Sequence, residues 1–279
     1  MSKQILKYIG NKHRYANEII SYFPKKFKSY YEPFLGSAAI LYHLNPAKGL
    51  GSDSNKNIID FFNTLQKNPK KLGNEYKKRW ELFNKNRKEV YALIKNDFNK
   101  KNNPYDFFFL SRSCYGGVLR YRKDGFFSTP IGPHNPVPPN EIKIRINDWT
   151  DRIKKIKIEC CDYSKTILKA GTDDIVYCDP PYFDSQKIIY GAQNFSYEDL
   201  LEKLEFVKKK GAFIALSMDG SKKSGNKIID LNIPKNLFTK EFSINLKGSM
   251  LKRFQRKDKN VKDEFVKDRL LISHNKHLS

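Results

Sequence analysis

Short apolar runs recur along the chain, separated by amphipathic stretches. Residues 30–34 lead into Leu35-Gly36-Ser37 and then a small-residue helix start, Ala38-Ala39-Ile40-Leu41. Residues 48–52 form a second short run that ends at Asp53. Ile156–Cys160, Ile175–Cys178, 211–217 and 268–274 follow. Each has strand length and is bounded by turn or polar residues. Ile175-Val176-Tyr177-Cys178 has no polar interruption, which predicts a strand covered on both faces in a parallel sheet. Helical patterns such as Tyr197–Lys209 lie between the runs. Strands alternating with helices predict an α/β fold with a parallel, doubly wound sheet.

The middle of the chain breaks this rhythm. Residues 64–110 are polar and helix-like, rich in Lys, Asn and aromatic rings. Val118-Leu119-Arg120-Tyr121-Arg122 and Phe126-Phe127-Ser128-Thr129 then flank Lys123-Asp124-Gly125. Asp-Gly between two such stretches predicts a β-hairpin. Residues 132–140 hold four prolines and read as an irregular loop. The pattern predicts a mostly helical domain with a hairpin, residues 64–150, inserted into a core built from 1–63 and 151–279.

Charge adds a partner class. The 279 residues carry 53 Lys and Arg against 30 Asp and Glu, a net charge of +23. That excess favours a polyanion. Residues 61–100 alone hold 11 basic and 4 acidic side chains (11 − 4 = +7), so the charge lies on a folded face rather than in a tail. Such a face suits tracking of a duplex backbone. With 39% apolar and 30% charged residues, the composition is that of a folded globular chain, not a disordered one.

Cys114, Cys160, Cys161 and Cys178 form no CxxC pair and no disulfide framework, which points to a reducing cytosol. The histidines (His13, His43, His134, His274, His277) have no ligand spacing and are expected at the surface or in satisfied structural roles. No metal site is expected. No apolar signal region opens the chain, and no apolar run has membrane-spanning length.

The candidate chemistry lies in Asp179-Pro180-Pro181-Tyr182, directly after the buried run Ile175–Cys178. In open α/β sheets, ligands bind beyond the carboxyl ends of strands. Two prolines remove two N–H donors, so the segment offers acceptors: the Asp179 carboxylate and the Pro180 carbonyl. Tyr182 adds a face for stacking. A strand-ending turn is the plainer role for such a run, and its companions decide between them. Lys7-Tyr8-Ile9-Gly10-Asn11-Lys12 opens the chain, and Glu32-Pro33-Phe34-Leu35-Gly36-Ser37 makes a Gly turn after the first strand. Asp53 follows Gly36 by 17 residues (53 − 36), where an acid would grip a ribose hydroxyl pair. Asp162 closes the strand before the tetrad.

In this order, these segments resemble the Dam-like DNA adenine-N6 methyltransferases (alpha class, D12 type), whose recognition domain lies between the cofactor motif and the catalytic tetrad. The resemblance spans nearly the whole chain. It implies a Rossmann-like fold that takes S-adenosylmethionine (SAM) as cofactor and double-stranded DNA as partner. By the resemblance, Tyr8, Lys12, Phe34, Gly36, Ser37, Asp53, Asp162 and Asp179 line the cofactor site, and Asp179, Pro180, Pro181 and Tyr182 form the catalytic tetrad. Tyr163 follows Asp162 where the family usually has Phe. Tyr115, Gly116, Val118, Arg120, Arg122 and Pro130 fall at the DNA-facing positions of the family's hairpin. Arg120 is then a guanine reader, since Arg offers two donors to O6 and N7, and Tyr115 a wedge beside the flipped base. Plain phosphate contact is the alternative for Arg120 and Arg122, and Gly116 departs from a polar contact.

The implied reaction is site-specific methylation of adenine N6. It would serve restriction–modification, with a cognate endonuclease acting separately, or protection of phage or host DNA. A monomer suffices to flip one base. The competing readings are a cytosine-N4 methyltransferase, an RNA methyltransferase and a catalytically silent DNA-binding protein on the same scaffold. Asp179 favours adenine in DNA, since cytosine-N4 enzymes more often carry Ser at that place and many RNA enzymes carry Asn.

Overall fold

A computed structural model describes residues 4–8, 10–181, 195–219, 233–246 and 266–273. Seven strands form one sheet: β1 (Tyr30–Glu32), β2 (Gly49–Asp53), β3 (Ile156–Cys160), β4 (Ile175–Cys178), β5 (Phe213–Asp219), β6 (Lys240–Leu246) and β7 (Val266–Ile272). Their order is β3-β2-β1-β4-β5-β7-β6. The first five run parallel, and β7 is antiparallel to both β5 and β6. The order reverses between β1 and β4, the switch point where an open α/β sheet leaves a crevice. This is the Rossmann-like arrangement expected from the sequence, except that the run at 268–274 enters the otherwise parallel sheet antiparallel.

Period-two alternation divides the sheet between two layers of side chains. Ile175, Tyr177, Phe213 and Ala215 enter one core cluster, whereas Val176, Cys178, Ile214 and Leu216 enter the other. Helices α1 (Ala16–Ser21), α2 (Ala39–Leu44) and α3 (Lys56–Lys67) contribute to the first cluster; α8 (Tyr163–Ile167) and α9 (Tyr197–Lys209) contribute to the second.

The middle of the chain holds α4 (Pro69–Lys85), α5 (Arg87–Lys101), α6 (Pro104–Ser113) and α7 (Pro139–Ile153). Side chains that cap backbone N–H groups mark their starts: Asn86 accepts from Glu89 N, and Asn103 accepts from Asp106 N. Pro104 and Pro139 stand in the first turns of α6 and α7, where a missing N–H costs nothing. The expected borders at 64 and 150 fall inside α3 and α7. Tyr76, Phe83, Tyr91, Phe98 and Phe107 to Phe109 belong to the same core cluster as Tyr30 and Tyr177, so the inserted helices share one apolar core with the sheet.

The hairpin is short. Tyr121 pairs with Phe127 and Cys114 with Ile131, both antiparallel, and Gly125 N donates to the Arg122 carbonyl at 3.0 Å to close the turn. Gly125 sits at φ +79, a left-handed conformation that glycine adopts without strain. Asn99 clamps the second arm by accepting from Phe127 N at 2.6 Å and donating to its carbonyl at 3.2 Å.

Two glycines separate tight packing from slack packing. A Cβ added at Gly49 would lie 2.5 Å from the Tyr30 carbonyl oxygen of the neighbouring strand, whereas one at Gly73, within α4, would meet only Ile146 Cδ1 at 3.5 Å. In urea unfolding, Gly49→Ala is expected to destabilise by about 1–3 kcal/mol. Gly73→Ala is expected to stabilise by about 0.5–1 kcal/mol. Equal effects would contradict this packing.

Candidate active site

The carboxyl ends of β2, β1 and β4 lie side by side, and each presents a residue of the predicted site. Leu35 N donates to the Ser52 carbonyl at 2.8 Å, which ties the turn after β1 to β2. Asp53, the last residue of β2, accepts from Gly36 N at 2.9 Å through Oδ2 and from Asn55 N at 2.8 Å through Oδ1. Gly36 has φ +47, and a Cβ there would meet the Tyr8 ring at 3.4 Å. Tyr8 therefore packs over the Gly turn, and Ser37 beside it is buried. Burial raises the Asp53 carboxyl above its ordinary value, against the two N–H bonds that hold it down.

Next to this corner stands an aromatic group. Phe34 stacks on Tyr163 with centroids 5.3 Å apart, and Phe195 meets both rings edge-on. Asp162 is exposed and caps α8 by accepting from Ser164 N at 2.9 Å. Its visible role is thus that of a helix cap.

Asp179 follows β4. Its Oδ1 lies 2.9 Å from Lys12 Nζ, and the same ammonium lies 3.3 Å from Asp268 Oδ2 on β7. The Lys12 and Asp268 side chains are 6% and 2% exposed, against 21% for Asp179, so the open end of the cluster is Asp179. Pro180 is buried, and the Pro181 carbonyl accepts from the Tyr197 hydroxyl at 3.2 Å, which pins the run to α9. Tyr182 lies outside the described residues.

The hairpin places Tyr115, Arg120, Arg122 and Pro130 at the surface, with Val118 half-buried. Gly116 is buried at φ +64 and serves the turn rather than offering a contact. Arg122 is engaged within the protein: it lies over the Phe126 ring at 4.1 Å and pairs with Asp124 at 3.2 Å. Arg120 spends only its backbone there, accepting from Ser128 N at 2.9 Å and donating to Thr129 Oγ1 at 3.0 Å.

A family model described as D12 class N6 adenine-specific DNA methyltransferase matches residues 8–262. The chain belongs to that family. Over 190 residues it is 30% identical to the DNA adenine methylase of Vibrio cholerae serotype O1, covering 65% of this chain and 66% of that one. The match therefore spans just under two-thirds of that relative. Over 243 residues it is 29% identical to the type II methyltransferase M.MjaIII of Methanocaldococcus jannaschii, covering 77% and 83%. The solved rRNA methyltransferase aviRa of Streptomyces viridochromogenes gives a TM-score of 0.42 at 12% identity, over 96% of this chain and 86% of its own. That likeness is too weak to bear on the fold, which the sheet order decides.

The ion pair with Lys12 brings to the site one residue that the sequence shows only as part of a strand: Asp268. Its signal was an acid opening an apolar run, Leu270-Leu271-Ile272. One expectation needs correcting. His13 is neither exposed nor fully satisfied: its Nδ1 meets His43 Nε2 at 3.3 Å, while its own Nε2 is buried with no partner among the described residues. Burial lowers His13 to about 3, so the neutral ring tolerates this place. His134 is exposed, and His274 and His277 lie outside the described residues. Nor is any described helix long and apolar enough to cross a membrane.

Glu32 lies beneath the site. It is 3% exposed and accepts from the Tyr30 hydroxyl at 2.8 Å and from Leu41 N at 3.0 Å. Burial, helped by the charges of Asp179 and Asp53, pushes its carboxyl up to about 8 despite those two bonds. The unfolded chain releases this proton near the ordinary value, and the native chain holds it longer. The native state thus binds the extra proton between the two values, and stability falls as pH rises through that window. Relative to Glu32→Gln, the wild type is expected to lose stability from about pH 5 to about pH 8. Urea midpoints measured across that range check this; parallel curves would contradict it.

Proposed function

We propose that this chain transfers the methyl group of SAM to N6 of an adenine flipped out of double-stranded DNA. The observation that carries this reading is the place of Asp179. It opens a complete Asp-Pro-Pro-Tyr run at the end of β4, beside the Gly36–Asp53 corner at the sheet's switch point.

The residues present fit SAM. Each Asp53 oxygen accepts one backbone N–H and, as a carboxylate oxygen, has capacity for a ribose hydroxyl. Phe34, Tyr163 and Phe195 offer flat apolar walls to an adenine ring. Gly36 lets a ligand approach the backbone closely. When bound, SAM supplies an electrophilic sulfonium methyl group.

The chain's own part is to position and polarise the target base. Adenine N6 is a weak nucleophile because its lone pair is delocalised into the ring. Asp179 and the Pro180 carbonyl accept the two amino hydrogens and draw the nitrogen toward tetrahedral geometry, which localises the lone pair. Asp179 also stabilises the positive charge that develops on the nitrogen as it is alkylated, and its carboxylate accepts the proton that the methylated nitrogen sheds to become neutral. Tyr182 stacks on the flipped base. Flipping costs a few kcal/mol, which hairpin contacts with the duplex offset. Tyr115 wedges into the gap, and Arg120 reads a base edge while Arg122 keeps to the hairpin. The type II name of the Methanocaldococcus relative favours a restriction–modification role in the cytoplasm, with any endonuclease acting separately. One copy of the chain suffices.

Modified-base sequencing of DNA from a methylation-free bacterial host expressing the chain tests this directly. N6-methyladenine is expected at one short motif. Unmodified DNA from a well-expressed protein would contradict the reading and favour an RNA substrate or a silent binder. Asp179→Ala is expected to lower methyl transfer at least about a hundredfold while leaving DNA binding largely intact. Asp53→Ala is expected to weaken SAM binding in calorimetry by about tenfold or more. For Arg120→Ala, discrimination at one base pair should fall by about 1–3 kcal/mol, read from competition between duplexes; a uniform loss across sequences would make Arg120 a phosphate contact.

A further inference from the structure

We infer that Asp268 is a positioning residue for methyl transfer: it retains the Lys12 ammonium at the inner end of the site, so that Asp179 can serve the target amino group. This rests on the function proposed above. Lys12 Nζ lies between Asp179 Oδ1 at 2.9 Å and Asp268 Oδ2 at 3.3 Å. The three side chains come from the N-terminal segment, the end of β4 and β7, and nothing in local sequence joins them.

The cluster's charge explains the need for a second acid. A Lys12–Asp179 pair alone sums to zero, and its carboxylate pulls weakly on the amino hydrogens of adenine. Asp268 adds a second carboxylate beside this pair, which favours the positive charge developing on N6. Burial then assigns the two acids different duties. Asp268 is 2% exposed and faces inward, whereas Asp179, at 21%, faces the opening. An amino group that enters from the opening draws on the same Asp179 carboxylate as Lys12. The ammonium cannot follow into water, because its side chain is 6% exposed, and a buried charge that loses a close partner is destabilised. Asp268 supplies the anchor onto which Lys12 leans as Asp179 turns to the substrate. Asp268 touches neither base nor cofactor in this scheme, and its effect passes through Lys12.

The test is a double-mutant cycle on the full chain with single-turnover and steady-state methylation of a duplex bearing the site. In Asp268→Asn, kcat is expected to fall at least about tenfold, with KM for DNA and SAM affinity changed little. Asp268→Glu, which keeps the charge, is expected to restore part of the loss. In a Lys12→Gln background, Asp268→Asn is expected to add little, since its effect requires the ammonium. Equal losses in both backgrounds, or a loss confined to KM or to thermal stability, would overturn the inference. A substrate-free readout separates this outcome from failure of the functional reading. The Lys12 ammonium protons, seen by NMR, are expected to exchange slowly with water in the wild type and severalfold faster in Asp268→Asn. Unchanged exchange would sink the anchor whatever the substrate proves to be, whereas a wild type that leaves adenine unmethylated would sink only the reaction.

Discussion

An ammonium group buried beneath a protein surface must be paired, and the pairing of Lys12 organises the site around it. Desolvating one charge costs several kcal/mol, and attraction offsets this only when partners are close and well placed. Lys12 meets Asp179 and Asp268 at 2.9 and 3.3 Å. These acids approach one another because β7 inserts antiparallel beside β5, which itself neighbours β4. The ion cluster therefore depends on the sheet order, and the place of the Asp179 carboxylate depends on the ion cluster.

The N-terminal segment that carries Lys12 is held from the inserted helices. Arg112 on α6 and Arg145 on α7 both donate to the Gln4 carbonyl, at 3.2 and 2.6 Å, and Arg112 also reaches the Ile5 carbonyl at 3.4 Å. Burial lowers Arg112 to about 10, and the nearby Arg145 charge adds to this. Lys7 packs against Gly117, at the foot of the hairpin, where a Cβ would stand 2.6 Å from Lys7 Cγ. Tyr8 then covers the Gly36 turn, and Lys12 reaches Asp179. One short strip of chain thus touches the foot of the hairpin, the Gly36–Asp53 corner and the Asp179 carboxylate in turn. The shared apolar core beneath it makes the inserted helices and the sheet one packed body rather than two joined by a linker.

Some features were readable because their causes are local. Ile175–Cys178 needed no partner to declare itself a buried strand, since all four side chains are apolar and turn residues flank them. The Asp-Gly turn of the hairpin, the Gly36 turn and the helix Tyr197–Lys209 follow from backbone preferences and period. Other features were not readable for equally physical reasons. Lys240–Leu246 mixes charged and apolar residues as an edge strand does, and its identity as β6 comes only from pairing with β7. Residues 139–150 follow a proline-rich loop, and their helix is fixed by Ile142, Ile146, Trp149 and Ile153 packing inward. Asp162, which the sequence showed only as the acid closing a strand, caps the next helix, a role set by the backbone turn that follows it.

By itself the sequence determined the α/β pattern, the excess of positive charge, the Asp-Pro-Pro-Tyr run and the family, because periodicity, charge and contiguous motifs are properties of the chain read along its length. Tertiary structure alone decided which charges meet. Lys12 and Asp179 are 167 residues apart, and Asp268 joins them only through the antiparallel seventh strand. It also decided that Arg122, exposed like Arg120, lies over Phe126, and that Glu32 holds its proton under the site. Burial, pairing and desolvation depend on what lies across the fold from a residue, and a linear pattern carries no record of that.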